Sequence, residues 1–104
     1  MTLADSRPRI AFLDVDGTIL DHGTTVAAST VEAIQSARNA GHLVYLSTGR
    51  ASGDIHPDVA AIGFDGAITN GGAYAESAGE IVLADPMPEE ATRAAIDYFT
   101  AHGI

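Results

Sequence analysis

The 104-residue chain contains no cysteine, no tryptophan and no lysine. Without cysteine there can be no disulfide, no thiolate nucleophile and no cysteine-ligated zinc. No apolar run approaches the roughly 20 residues of a membrane-spanning helix, and residues 1–9 lack the hydrophobic stretch of a secretion signal. The length fits one domain at most, and these absences predict a cytoplasmic protein without a membrane partner.

Positive charge is also scarce. Five arginines stand against fourteen aspartates and glutamates, which gives a net charge of −9. This balance argues against a nucleic-acid partner, because phosphate backbones are bound through clustered lysine and arginine. A small phosphorylated molecule stays compatible with the charge, since a bound cation can reverse the field around a site.

The most informative segment is an apolar run, residues 10–13, followed by the sequence Asp-Val-Asp-Gly-Thr at residues 14–18. Such a run is typical of a strand buried on both faces of a parallel sheet, which puts Asp14 at the strand's carboxyl end, where open α/β sheets bind ligands. Asp14 and Asp16 can then hold a hard cation and place a nucleophilic carboxylate beside an acid/base carboxylate. The alternative is a solvated Asp-Gly turn. An EF-hand is excluded, because Gly17 stands fourth in the loop rather than sixth.

The pattern then alternates between helix and strand. The capping box at residues 29–32 predicts the start of a helix that Gly41 ends. A second apolar run at residues 43–46 and a third strand at about 66–69 follow it along the chain. Strand, helix and strand in this order form a right-handed parallel crossover, so the strands end at one edge of the sheet and Asp14 should lie near Thr48.

The last part of the chain changes in character. Residues 73–76 and 80–83 flank a glycine turn and predict a β-hairpin. Pro86 and Pro88 mark a linker, and a final helix that starts near Pro88 is expected to end at Gly103.

Three successive strand ends carry Asp-x-Asp-Gly-Thr at 14–18, Ser-Thr-Gly-Arg at 47–50 and Asn-Gly-Gly at 70–72. In this order the motifs resemble those of the haloacid dehalogenase-like (HAD) superfamily and, within it, of the Cof-type, class IIB sugar-phosphatase branch. The resemblance runs from Ile10 to the end of the chain, and Gly72 departs from an alanine of the branch.

The resemblance implies an α/β fold: the N-terminal half of a Rossmann-like HAD core, with parallel strands, crossover helices and a β-hairpin. Residues 1–86 would be the N-terminal part of the core domain, and residues 87–104 the first helix of a truncated α/β cap domain. The family chain is more than twice as long, so we expect an N-terminal part of such a protein. A truncated gene product and a fragment left by cleavage are both compatible with the sequence.

The resemblance also implies a chemistry. Asp14 would attack phosphorus and form an aspartyl-phosphate, and Asp16 would act as the acid and then the base. Mg²⁺ would bind the Asp14 carboxylate and the Asp16 backbone carbonyl. The Thr48 hydroxyl and the Gly49 amide would hold the phosphoryl oxygens of the substrate.

Two further residues, Arg50 and Asn70, belong to the phosphate and substrate site that the resemblance implies. Arg50 either orients the substrate or pairs with a local carboxylate, and the sequence favours neither. Asn70 is expected to order a loop close to the phosphate and substrate site. The family also uses a lysine that steadies the nucleophile and a later acidic Gly-Asp-x-x-x-Asp motif, and this chain has neither.

Three functional hypotheses follow. The first is a Mg²⁺-dependent phosphatase of small phosphorylated metabolites, above all sugar phosphates, of which this chain alone would be inactive or weak. The second is a vestigial or interaction module without turnover, and the third is a phosphomutase parent. Surfaces that the missing C-terminal half would cover are expected to cause self-association.

Overall fold

The computed structural model of the chain describes residues 7–21 and 25–104. Within them seven strands form a five-stranded sheet and a separate two-stranded sheet, accompanied by three α-helices. The strands are β1 (Ile10–Leu13), β2 (Leu20–Asp21), β3 (Thr25–Val26), β4 (Leu43–Ser47), β5 (Gly66–Thr69), β6 (Tyr74–Ser77) and β7 (Glu80–Ala84). The helices are α1 (Ala28–Asn39), α2 (Pro57–Ala60) and α3 (Glu89–Ala101).

The large sheet has the order β1-β4-β5-β6-β7, and its first three strands are parallel. Leu13 of β1 lies opposite Leu46 of β4, and Ser47 of β4 lies opposite Ile68 of β5. The three strands therefore finish at the same edge of the sheet. The predicted α/β class and the placement of the motifs at one edge are confirmed.

Strands β6 and β7 extend the sheet as an antiparallel hairpin. Ser77 pairs with Glu80, so the turn consists of Ala78 and Gly79 alone, with φ of 52° and 80°. Two consecutive positive φ values suit the right-handed twist of the flanking strands. The hairpin was predicted correctly, but its first strand runs one residue later than expected because the turn has two residues instead of three.

The predicted capping box at the start of α1 is wrong. The helix begins at Ala28, its N-cap is Ala27 and no side chain caps it, so Ser29 lies inside the first turn. The predicted end is correct: Gly41 adopts φ of 93°, its N–H donates to the Arg38 carbonyl, and the His42 N–H donates to the Ala37 carbonyl, each at 3.0 Å. Such a pair of bonds needs the left-handed conformation that glycine adopts without strain.

The hydrophobic core joins one face of the sheet to helices α1 and α2 and to the turn after β1. Side chains of β4 alternate, so Val44 and Leu46 are buried in this core together with Ile34 of α1 and Val59 of α2. The turn after β1 adds its own apolar side chains to the same cluster: Val15, Ile19 and Leu20.

The opposite face of the sheet is open among the described residues. Ile10 and Phe12 of β1 are each 56% exposed, and the Phe12 ring stacks on Tyr45 with ring centroids 5.6 Å apart. The expectation that β1 is buried on both faces is therefore wrong for this structure. The physical reason is that no element of the described ranges packs over the face of β1 that carries Ile10 and Phe12.

Asp65 ties α1, β4 and the start of β5 together. Its carboxylate accepts hydrogen bonds from the Val44 amide at 2.8 Å and from Nε and Nη2 of Arg38 at 3.1 and 3.2 Å. The Val44 amide and then the Arg38 guanidinium hold the pKa of Asp65 below its ordinary value, against the opposing effect of burial. The ionised form of Asp65 therefore stabilises the fold.

We expect the Asp65→Asn substitution to lower the free energy of unfolding by about 1–2 kcal/mol at neutral pH, because the bonds from Arg38 lose their charged acceptor. Because the folded pKa is depressed, this stabilisation is present above the unfolded pKa of about 4 and is lost as the pH falls through the folded pKa. Urea unfolding at several pH values measures it. The exposed Asp97 of α3 supplies the control, Asp97→Asn; an equal loss in both variants would contradict the prediction.

None of the helices formed by residues 7–21 and 25–104 has the length and apolar character needed to span a membrane.

Candidate active site

The first motif forms a tight turn fixed by Val15. The Val15 side chain is fully buried, and its carbonyl accepts hydrogen bonds from the amides of Thr18, Ile19 and Leu20 at 3.3, 3.0 and 2.9 Å. Gly17 adopts φ of 79°, a conformation that L side chains rarely take. With Val15 held inside, its two neighbours in the sequence, both aspartates, lie exposed at the carboxyl edge of the sheet.

The Asp14 side chain is exposed and is oriented by its own backbone. One carboxylate oxygen, Oδ1, accepts a hydrogen bond from the Val15 amide at 2.9 Å, which fixes the orientation of the group. Within the part of the chain that the structure describes, no arginine or histidine forms an ion pair with Asp14. Its second oxygen is thus open to a cation or to a phosphoryl group.

Asp16 is held by Arg50 of the Ser-Thr-Gly-Arg motif. Nε and Nη2 of Arg50 donate to Oδ2 and Oδ1 of Asp16 at 2.8 and 3.0 Å, so both carboxylate oxygens are engaged. These bonds, more than the charge of the guanidinium, lower the pKa of the Asp16 carboxyl below its ordinary value. Nη1 of Arg50 reaches Asp54 at 3.4 Å. Of the two hypotheses for Arg50, the structure shows pairing with local carboxylates, and its contact with substrate stays a prediction.

Thr48 and Gly49 lie beside this pair, at the end of β4. The buried Thr48 hydroxyl accepts a hydrogen bond from the Arg50 amide at 3.1 Å, which leaves its own proton free to donate. Among the described residues the Gly49 amide has no acceptor. Both groups are thus available as donors, and their contact with phosphoryl oxygens stays a prediction.

Asn70 clamps the loop that carries Arg50. The backbone N–H of Asn70 donates to the Arg50 carbonyl at 2.8 Å, and its side-chain oxygen Oδ1 accepts from the backbone N–H of Ser52 at 3.2 Å. Asn70 has φ of 55°, which is uncommon for a residue other than glycine and is often found at functional sites. These bonds agree with the expected loop-ordering role, and a place of Asn70 in substrate binding stays a prediction.

The predicted magnesium site is incomplete within residues 7–21 and 25–104. No group of three or more histidine, aspartate or glutamate side chains in these ranges is arranged to hold a metal ion. The available ligands are the Asp14 carboxylate and the Asp16 carbonyl, which accepts no backbone hydrogen bond from a described residue. Hard oxygen donors of this kind suit Mg²⁺, but two of them fill only part of its coordination sphere.

Sequence reasoning assigned no role to Asp54 and Ser52, both of which contact the residues of the site. Asp54 stands four residues after Arg50, and opposite charges at this spacing in a tight turn are the signal that points to such a pair. Ser52 contributes a backbone amide, so no feature of its side chain identifies it.

The fold and the site define an α/β protein with a pair of aspartates at the carboxyl edge of a parallel sheet, next to a threonine and an arginine. The sequence profile of the haloacid dehalogenase-like hydrolases matches residues 11–104. The chain belongs to this family.

Individual relatives agree with the predicted branch. The chain is 36% identical over 99 residues to the pyridoxal phosphate phosphatase YbhA of Escherichia coli (strain K12), covering 92% of this chain and 36% of that protein. It is 32% identical over 92 residues to the 5-amino-6-(5-phospho-D-ribitylamino)uracil phosphatase YwtE of Bacillus subtilis (strain 168), and the match covers 88% of this chain and 32% of that protein. The predicted family and its Cof-type, class IIB branch are confirmed.

Solved structures lead to the same branch. The structure of the HAD subclass IIB sugar phosphatase BT4131 matches with a TM-score of 0.75 and 27% identity, covering 93% of this chain and 38% of that one. The chain spans about a third of the length of the two relatives YbhA and YwtE.

Proposed function

We propose that the chain carries the nucleophile side of the active site of a Mg²⁺-dependent phosphatase that acts on small phosphorylated metabolites, with sugar phosphates as the preferred class. The observation that supports this most is the position of Asp14 beside Asp16 and Thr48 at one edge of the sheet. The Asp14 side chain is exposed there, and no arginine or histidine among the described residues forms an ion pair with it. The names of the relatives, which act on pyridoxal phosphate, on a phosphorylated ribitylaminouracil and on sugar phosphates, agree with this substrate class.

In the proposed reaction the free oxygen of Asp14 attacks phosphorus, and the bond between phosphorus and the ester oxygen breaks. Asp16 gives a proton to that leaving oxygen, so that a neutral alcohol departs. Asp16 then removes a proton from a water molecule, which attacks the aspartyl-phosphate at phosphorus. Inorganic phosphate leaves and the Asp14 carboxylate is regenerated, with no net change in the chain.

The donors of β4 would stabilise the charge on the phosphoryl oxygens during both steps. The Thr48 hydroxyl and the Gly49 amide are fixed before substrate arrives, because the Thr48 and Arg50 backbone is bonded to Ile68 and Asn70. Mg²⁺, held by the Asp14 carboxylate and the Asp16 carbonyl, would supply charge neutralisation between the nucleophile and the phosphoryl group.

The test is a phosphatase assay with and without Mg²⁺ on the purified chain, alone and with the segment encoded downstream of Ile104 added in trans. We expect little or no turnover by the chain alone, because groups that act as a unit fail together when one of them is missing. Turnover should rise when the downstream segment is added. If the chain together with the downstream segment, here called the assembled protein, shows no Mg²⁺-dependent activity, this result would favour the second hypothesis, a module without turnover.

The isolated chain should bind Mg²⁺ weakly, with a dissociation constant on the order of millimolar, because affinity follows the number and charge of the ligands. Of the two aspartates described at the site, Asp16 is paired with Arg50, which leaves the Asp14 carboxylate as the charged ligand. Titration calorimetry measures this, and Asp14→Asn should abolish the remaining signal. Tight, stoichiometric binding would contradict the prediction and indicate that a second chain completes the site.

We also propose that residues 1–86 are part of the core domain and that residues 87–104 begin the cap. No residue of α3 is buried, and Pro86 and Pro88 lie directly before it. A cytoplasmic location and the absence of nucleic-acid and membrane partners stay predictions.

Self-association is expected to occur through the open face of β1 and β4. Exposed apolar side chains on an edge strand promote contacts between copies of a chain. Phe12→Ser should therefore shift the sedimentation distribution towards the monomer. Ile96→Ser is the matched control, because Ile96 of α3 is 58% exposed, close to the 56% of Phe12, but lies away from the sheet. Equal effects of the two substitutions would contradict this assignment of the surface.

A further inference from the structure

Arg50 holds both oxygens of a carboxylate that the proposed reaction needs free. Its Nε and Nη2 donate to the two oxygens of Asp16, and its Nη1 points to Asp54 at the longer distance of 3.4 Å. To pass a proton to the leaving oxygen, or to take one from water, Asp16 must turn at least one oxygen towards the reacting atoms. The pair seen here therefore has to open before Asp16 acts.

The position of Arg50 offers a partner that can open the pair. The Arg50 amide donates to the Thr48 hydroxyl oxygen at 3.1 Å, so the guanidinium starts from a backbone that adjoins the proposed phosphoryl site. A phosphoryl group brings more negative charge than one carboxylate, and its oxygens suit the planar donor fork of arginine. The Arg50 side chain is 40% exposed, which leaves it room to change rotamer.

We propose that Arg50 exchanges partners: it holds Asp16 while the site is free of phosphate and passes to the phosphoryl oxygens when a phosphate monoester binds, with Asp54 retaining the guanidinium. The exchange rests on the proposed phosphatase function and makes Arg50 a positioning residue, which releases Asp16 once substrate is in place. Asp16 thereby becomes available in the complex and stays engaged in its absence.

Two features of the loop support an exchange by the side chain alone. Asn70 bonds the Arg50 carbonyl and the Ser52 amide, so the backbone that follows the Arg50 side chain, on both sides of Ala51, is fixed. Asp54 then keeps one nitrogen of the guanidinium engaged after the bonds to Asp16 break. An exposed pair of this kind contributes little to stability, and this makes it suited to guiding a side chain that must move.

Binding of inorganic phosphate to the full chain tests the exchange without any turnover. The chain has five arginines and no lysine, so the ¹⁵Nε–H signal of Arg50 can be assigned from the signal lost in Arg50→Lys. We expect this signal to shift with saturation as phosphate is added. Arg50→Gln should weaken phosphate binding about tenfold, the effect of a lost hydrogen bond between charged groups.

Asp54 has a matched control in Asp58, since their side chains are 72% and 73% exposed and Asp58 has no bond to Arg50. The Asp58 amide donates a hydrogen bond to Nδ1 of His56 instead. Asp54→Asn should weaken phosphate binding about two- to threefold, in line with an exposed ion pair. Asp58→Asn removes the same charge and should leave the affinity unchanged. Equal effects of both would assign the loss to net charge and overturn the role of Asp54.

A double-mutant cycle separates exchange from simple repulsion between Asp16 and phosphate. Asp16→Asn should increase the phosphate affinity several-fold more in the presence of Arg50 than in the Arg50→Gln background, because Arg50 is then free to bind phosphate. Equal increases, no phosphate binding, or an Arg50 signal that does not shift would each overturn the proposal. None of these outcomes decides the nucleophile, which the activity assay of Asp14 tests separately.

Discussion

The Asp14→Asn substitution is expected to reduce Mg²⁺-dependent phosphatase activity of the assembled protein by a factor on the order of 10³ or more. The amide is a far weaker nucleophile than the carboxylate and cannot form the aspartyl-phosphate. The substitution also removes the carboxylate of the Asp14 and Asp16 pair that Arg50 does not hold and that can bind the cation. The two roles are lost together, so no residual two-step reaction remains.

The measurement is the rate of phosphate release from a chromogenic phosphate monoester, compared between the native sequence and the variant. Asp58→Asn is the control, because it removes an equal charge from an exposed carboxylate outside the proposed site. Circular dichroism of each variant verifies folding; the Asp14 side chain is exposed, and we expect no change in the spectrum. Full activity of Asp14→Asn would show that the nucleophile is another residue.

Gly66→Ala is expected to cause the largest loss of stability of any single substitution considered for this chain. A Cβ atom at position 66 would collide with the Glu76 carbonyl oxygen and would stand 2.7 Å from Cε2 of Tyr45. The carbonyl belongs to the paired strand β6 and cannot move without breaking the sheet. We expect the free energy of unfolding to fall by about 3 kcal/mol, the upper range for overpacking.

Urea denaturation of the native chain and the variant measures this loss. Gly53→Ala is the matched control, since a Cβ atom at position 53 meets no atom within 4 Å. There the alanine should be neutral or slightly stabilising, because it restricts the unfolded chain. A Gly66→Ala variant with an unchanged midpoint would show that β5 and β6 can separate locally to admit a methyl group.

Local signals in the sequence were sufficient for the strands of the large sheet, but they did not predict the two-stranded sheet of β2 and β3. The apolar runs gave three strands within one residue of their observed bounds, and Gly41 and Gly103 were correctly predicted as helix ends because a left-handed residue after a helix favours glycine. The motif residues were placed at one edge because strands joined by a crossover helix run parallel, so that their carboxyl ends meet at the same edge of the sheet. The capping box failed because its residue types are equally compatible with the interior of a first turn.

The tertiary structure decided which distant groups meet. Arg50 engages Asp16, 34 residues away, and Asp65 engages Arg38, 27 residues away, whereas the sequence left the partner of Arg50 open. The need for glycine at position 66 is also invisible locally, because it comes from Tyr45 and Glu76 on two neighbouring strands.

The physical reason is the range of the interactions. Hydrophobic period and turn residues act over a few residues, and strands joined by a helix run parallel as a general rule. The sequence by itself therefore determined the order along the chain of the strands in the large sheet and the edge that carries the motifs. A bidentate ion pair or a steric contact depends on positions within a few tenths of an ångström, set by every strand and loop between the partners. Those contacts, and the open face of β1, were decided only when the sheet was assembled.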